Sequence, residues 1–147
     1  MSKKRKLIIA LVAFSGIVAV GLGIHFKPAS PELTKLGDYS VTSKGMRFEI
    51  DLASNSTTGY TWTASGVDKN NCSLDDIFYQ SYPSKDNRLG SSGYSRVTGR
   101  VKKAGQQEFD LTYCQNWDGG KKEMTYHVTI SSSKTKINKI KLTKVSE

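Results

Sequence analysis

From Met46 to Leu52 every second residue is apolar: Met46, Phe48, Ile50 and Leu52 alternate with Arg47, Glu49 and Asp51. A period of two places the two sets on opposite faces of an extended chain, so this segment predicts a half-buried strand. The same alternation recurs in Tyr60 to Ala64, with Tyr60, Trp62 and Ala64 in phase, and in Glu108 to Tyr113, with Phe109, Leu111 and Tyr113 inward. Met124 to Ile130 repeats it, and Ile77 to Tyr82, ended by Pro83, predicts a further strand. Tyr94 to Lys102 is another, with Arg96 and Arg100 on alternate positions and Ala104-Gly105 breaking it. Asp38 to Thr42 predicts a shorter partner for the first strand, joined through Ser43-Lys44-Gly45. No soluble segment has a helical period of useful length. About seven short strands separated by polar turns predict an all-β, antiparallel β-sandwich.

The N-terminus follows another pattern. Lys3, Lys4, Arg5 and Lys6 precede an apolar and small-residue run from Leu7 to Ile24 in which only Ser15 is polar. A basic segment before an apolar one is an export signal. The run is long enough to span a bilayer and has no clear cleavage site after it, so residues 1–27 are expected to form a signal-anchor helix or a cleaved signal peptide. The folded part would then lie outside the cytoplasm, membrane-anchored if the segment stays and secreted if it is removed. Residues 28–37, with Pro28, Ser30, Pro31 and Gly37, read as a linker, 38–133 as the domain, and 134–147 as a basic tail that extends the last strand or frays.

The formal net charge of +9 resides at the two ends. Residues 1–27 carry five basic side chains and no acidic one, residues 134–147 five basic and one acidic, and residues 28–133 twelve of each. A nucleic-acid binder carries its positive charge on the folded body, so that class is set aside. The two histidines and two cysteines make no zinc-spaced cluster, and no metal or cofactor is expected. Cys114 with His127 lacks a third group to orient an imidazole, which argues against a nucleophilic dyad and against an enzyme. Cys114 ends a strand at one end of the sandwich and Cys72 lies toward the other, so no internal disulfide is expected.

Three polar loops remain: Asn55-Ser56-Thr57-Thr58-Gly59-Tyr60, Gly90-Ser91-Ser92-Gly93 and Gln115-Asn116-Trp117. Together with Leu111-Thr112-Tyr113 and Lys103-Ala104-Gly105 they resemble the chagasin family of cysteine-peptidase inhibitors over roughly residues 33–131. In that family the first loop reads Asn-Pro-Thr-Thr-Gly-aromatic, the second Gly-x-Gly-Gly and the third Arg-Pro-Trp. Here Ser56 replaces the proline, the second loop is one glycine short, and only Trp117 remains of the third motif. The resemblance implies an immunoglobulin-like sandwich whose three loops form a wedge. That wedge would block the cleft of papain-like cysteine proteases reversibly and non-covalently, most simply as a monomer. The residue types suit the task. Thr57 and Thr58 are stiff at χ1, Gly59 permits a sharp turn, Asn55 can brace the loop, and Trp117 offers a large amphipathic face. Gly90 and Gly93 would allow close backbone approach to a partner. Ser56 would loosen the first loop, and Gln115 would forgo a charge toward an acidic partner. The alternative is an extracellular immunoglobulin-like adhesion or ligand-binding module with no protease target, since sandwiches host many functions.

Overall fold

The computed structural model describes residues 32–82 and 92–146. These form nine strands: β1 (Tyr39–Lys44), β2 (Arg47–Ser54), β3 (Tyr60–Ser65), β4 (Cys72–Leu74), β5 (Phe78–Ser81), β6 (Gly93–Val101), β7 (Gly105–Gln115), β8 (Lys122–Ser132) and β9 (Ile137–Lys144). All pairings are antiparallel. One sheet has the order β1-β2-β6, with β4 and β5 both pairing the far side of β6; the other has the order β3-β7-β8-β9.

The alternating apolar residues face one another between the sheets. Phe48, Ile50 and Leu52 from β2 and Val97 and Val101 from β6 pack with Leu111, Val128 and Ile130 from β7 and β8. Phe48 stacks on Phe109 across the gap, with ring centroids 6.2 Å apart. Ile50, Leu52, Leu111 and Ile130 are fully buried, each contributing on the order of 2 kcal/mol relative to exposure. On the outer face, Arg96 grips Asp51 with two hydrogen bonds of 2.9 and 3.0 Å and reaches Glu49 at 3.1 Å, tying β6 to β2.

The ladders fix which end of the sandwich is which. Ser54 pairs with Gly93, and Tyr60 with Gln115, so the turns after β2 and β7 and the entry to β6 share one end. Cys72 pairs with Val101 at the other. Both cysteines are free, and burial pushes the Cys72 thiol up from its ordinary range.

Several expectations need correction. Among the described residues of the tail, 134–146, the chain neither frays nor prolongs β8. Ile137–Lys144 is a separate edge strand, with Ile137 and Leu142 in the core. Residues 32–37 are not a free linker: Leu33 is buried, and its N–H donates to the Tyr82 hydroxyl at 2.8 Å. The His127 imidazole does have an orienting group, since Nδ1 lies 2.7 Å from Asp110 Oδ1 and Nε2 3.6 Å from Glu108 Oε1. The hydrogen bond to Asp110 raises the His127 pKa. His127 pairs in the ladder with Asp110, whereas Cys114 pairs with Lys122; at about 3.3 Å per residue the offset along β7 is roughly 13 Å, too far for a dyad. The apolar run Leu7–Ile24 lies outside the described residues, as do Gly90 and Ser91 of the second loop. Among the described residues no helix is long and apolar enough to cross a membrane.

Candidate functional site: an edge of loops at one end of the sandwich

The first loop is built on Asn55. It leaves β2 in an extended conformation and caps a single 3-10 turn, Ser56–Thr58. Its Oδ1 accepts from the Thr57 N–H at 3.1 Å and from the Thr57 hydroxyl at 2.7 Å. This is the bond that makes asparagine a favoured N-cap. The Thr58 hydroxyl donates to the Asn55 carbonyl at 2.8 Å. Gly59 then takes a left-handed conformation, φ 76° and ψ 0°, which turns the chain into β3.

Tyr113 supports this turn from below. Its ring is buried between Tyr60 and Trp62, with centroids 5.4 and 5.1 Å away. Its hydroxyl accepts from the Asn55 N–H at 3.1 Å and donates toward the Asn55 carbonyl at 3.4 Å. Trp62 is pinned in turn by a 3.0 Å bond from Nε1 to the Ala53 carbonyl. The expected slackness from Ser56 is therefore countered: the residues on either side of it are held by Asn55, Thr58 and Tyr113. Ser56, Thr57 and Thr58 themselves are exposed.

The third loop closes on itself. The Gln115 N–H donates to the Lys121 carbonyl at 2.9 Å, and the Gln115 side chain accepts from the Lys121 N–H at 3.2 Å. Gln115 thus braces the base of its own loop. Asn116 and Trp117 are exposed, Trp117 by 57%. The indole nevertheless has a seat. A Cβ placed on Gly59 would stand 2.7 Å from Trp117 Cη2 and 3.2 Å from Cζ3. The first and third loops therefore touch, through a contact that only glycine allows.

The second loop enters beside them. Ser92 is exposed, and its carbonyl accepts from the Tyr82 N–H at 3.1 Å. Gly93 follows as the first residue of β6. It is buried in β6, where a Cβ would come 2.2 Å from the Gln80 carbonyl and 2.6 Å from the Tyr79 hydroxyl, so its bare backbone serves β5–β6 packing.

Asn55 through Tyr60 carry no formal charge. Among the described residues no group of three or more His, Cys, Asp or Glu side chains could hold a metal ion. The arrangement can dock but has no nucleophile–base pair. Sequence reasoning missed how Tyr113 acts. Alternation placed its ring inward, but no local signal marks a hydroxyl that reaches a loop 58 residues earlier in the chain.

The family model for Chagasin family peptidase inhibitor I42 matches residues 41–130, a span that contains all three loops. The chain belongs to the chagasin family of peptidase inhibitors. The family is one of inhibitors, not enzymes. Over 77 residues the chain is 35% identical to Chagasin from Trypanosoma cruzi, covering 51% of this chain and 70% of that protein. No solved structure matches. Within this family member, Tyr113→Phe is expected to cost about 1 kcal/mol of stability by leaving the Asn55 backbone short of a partner. Inhibition of a susceptible peptidase should weaken by a similar free energy, roughly fivefold. Thermal melts and inhibition constants check the two halves.

Proposed function

We propose that the chain is a reversible, non-covalent inhibitor of papain-like cysteine proteases, and that its three loops together fill the active-site cleft. The observation that carries this reading is the contact of Trp117 with Gly59, which joins the first and third loops into one edge. Such an edge loses little conformational freedom on docking. The proposed contacts are Asn55 to Tyr60 on the first loop, Gly90 to Gly93 on the second, and Gln115 to Trp117 on the third.

The same geometry gives a reason for escaping cleavage. A protease binds its substrate extended, in the manner of an added strand. Ser56–Thr58 is instead a 3-10 turn whose hydrogen bonds are satisfied internally. Its peptide bonds are not offered in the geometry that hydrolysis requires. The resemblance to an immunoglobulin-like sandwich belongs to this proposal, as does action as a monomer. So does export: the basic segment and apolar run at residues 3–24 would place the domain outside the cytoplasm, anchored or released.

The test is titration of papain with the purified full chain in mild detergent. Activity should fall at stoichiometric to micromolar inhibitor and return on dilution, with the inhibitor intact by mass spectrometry. Thr58→Lys should raise the inhibition constant at least tenfold, roughly 1.4 kcal/mol, with the domain still folded and its melting temperature lowered only modestly by the lost bond to the Asn55 carbonyl. No inhibition at micromolar concentration, or equal inhibition by the lysine variant, would refute the wedge.

A further inference from the structure

The chain enters the domain at the loop end, and its first described residues cross the mouth of the sandwich there. Leu33 is buried beside Tyr82. A turn follows in which the Lys35 N–H donates to Asp38 Oδ2 at 3.0 Å and the Asp38 N–H to the Lys35 carbonyl at 2.9 Å. Gly37 reaches the other sheet, where its carbonyl accepts from the Tyr126 hydroxyl. The Asp38 carbonyl then accepts from the Ala53 N–H at 2.9 Å, which hands the chain to β1. The segment 33–38 is thus tied to both sheets.

This arm and the first loop enclose a groove of about 300 Å³. Leu33, Thr34 and Leu36 line it from the arm and Asn55 and Thr58 from the first loop, over Tyr113, and Glu123 also borders it. Leu36 is 47% exposed, an apolar side chain left at the rim. Thr58 belongs both to the groove and to the proposed wedge, so the groove continues the docking edge directly. Residues 33–38 fall outside the span that the family model matches, which begins at residue 41.

We propose that the arm is a fourth contact element, and that the groove between Leu36 and Thr58 receives an apolar side chain from the rim of the target protease's cleft. The proposal rests on the inhibitor reading. Three observations select that occupant. The groove is continuous with the wedge, most of its lining is apolar with hydroxyl and amide groups and the Glu123 carboxylate completing it, and its walls are held by hydrogen bonds to both sheets. A groove of this size takes one or two side chains, near the small end of ligand sites. The arm would then set which papain-like proteases bind tightly, because cleft rims differ more in surface side chains than the catalytic centre can.

Three full-chain variants test it against a panel of papain-like proteases: Leu36→Ala, which lowers the wall, Thr34→Trp, which fills the groove, and Thr58→Lys as the wedge control. Both arm variants should raise the inhibition constant roughly tenfold, as expected for one apolar side chain losing its pocket. The loss should differ between proteases, and melting temperatures should hold because Leu36 and Thr34 are exposed. If Thr58→Lys weakens inhibition but neither arm variant does, the arm proposal falls and the wedge stands. If Thr58→Lys has no effect, both fall. If the wild-type chain dimerises on gel filtration and Leu36→Ala does not, the groove serves self-association and the proposal is overturned.

Discussion

Gly59→Val is expected to weaken inhibition of a papain-like protease by roughly thirtyfold or more, about 2 kcal/mol, while the two sheets remain folded. Two costs coincide at this residue. The backbone sits at φ 76°, a region that a β-branched residue strongly resists. The new side chain would also begin 2.7 Å from the Trp117 ring, so either the indole leaves its seat or the first loop opens. Both outcomes separate groups that must dock together. Gly66 provides the control. It has φ 74° with nothing within 4 Å of a built Cβ, so valine there incurs the backbone cost alone. Gly66→Val should lower the melting temperature without altering the inhibition constant. Equal effects on inhibition from the two substitutions would show that the Trp117 contact plays no part.

The second large effect concerns stability. Gly99→Ala should destabilise the domain by about 3 kcal/mol, at the upper end of overpacking costs. Gly99 pairs with Phe48 on one side and with Leu74 on the other. A Cβ would stand 2.5 Å from Phe48 Cζ, 2.6 Å from the Ser73 carbonyl and 2.8 Å from Leu74 Cδ2. Phe48 can tilt, but the Ser73 carbonyl belongs to β4 and moves only if that strand detaches. Most small domains are stable by about 5–15 kcal/mol, so the loss should be plain in a denaturant titration. A midpoint shift within error would mean that β4 yields freely and contributes little to the fold.

How much of this could be read from the chain depended on whether each element kept its period. β2, β7 and β8 alternate strictly where the sequence predicted them, whereas in β3 only Trp62 is buried and Ala64, expected in phase with it, is exposed. β4 has only three residues, Cys72–Leu74, too few to show a period at all. β9 escaped for a different reason. Ser132 pairs with Ile137 but Ser131 with Lys139, so the ladder passes over Asn138. That irregularity shifts the inward positions from Ile137 to Ile140 and Leu142, and a strand with a broken period among lysines reads as a tail. At the site, the residue types of the first loop conveyed its turn and its cap, because those are local. The supports were not legible. Tyr113, Leu33 and Leu36 act across the fold, and the Gln115 side chain, which looked like a lost contact, closes its own loop.

The register of the first and last strands carries a practical consequence. The chain enters at the loop end, and after Lys144 pairs with Tyr126 it leaves toward that same end, the Val145 N–H bonding the Thr125 carbonyl. Cargo joined directly at residue 32 or 146 would share a hemisphere with the docking edge and crowd an incoming protease. A surface coupled at either of those positions would hold the molecule face down. The turn of Lys102, Lys103 and Ala104 between β6 and β7 lies at the opposite pole. A fluorophore, a biotin or a bulky fusion partner belongs there if the edge is to stay open.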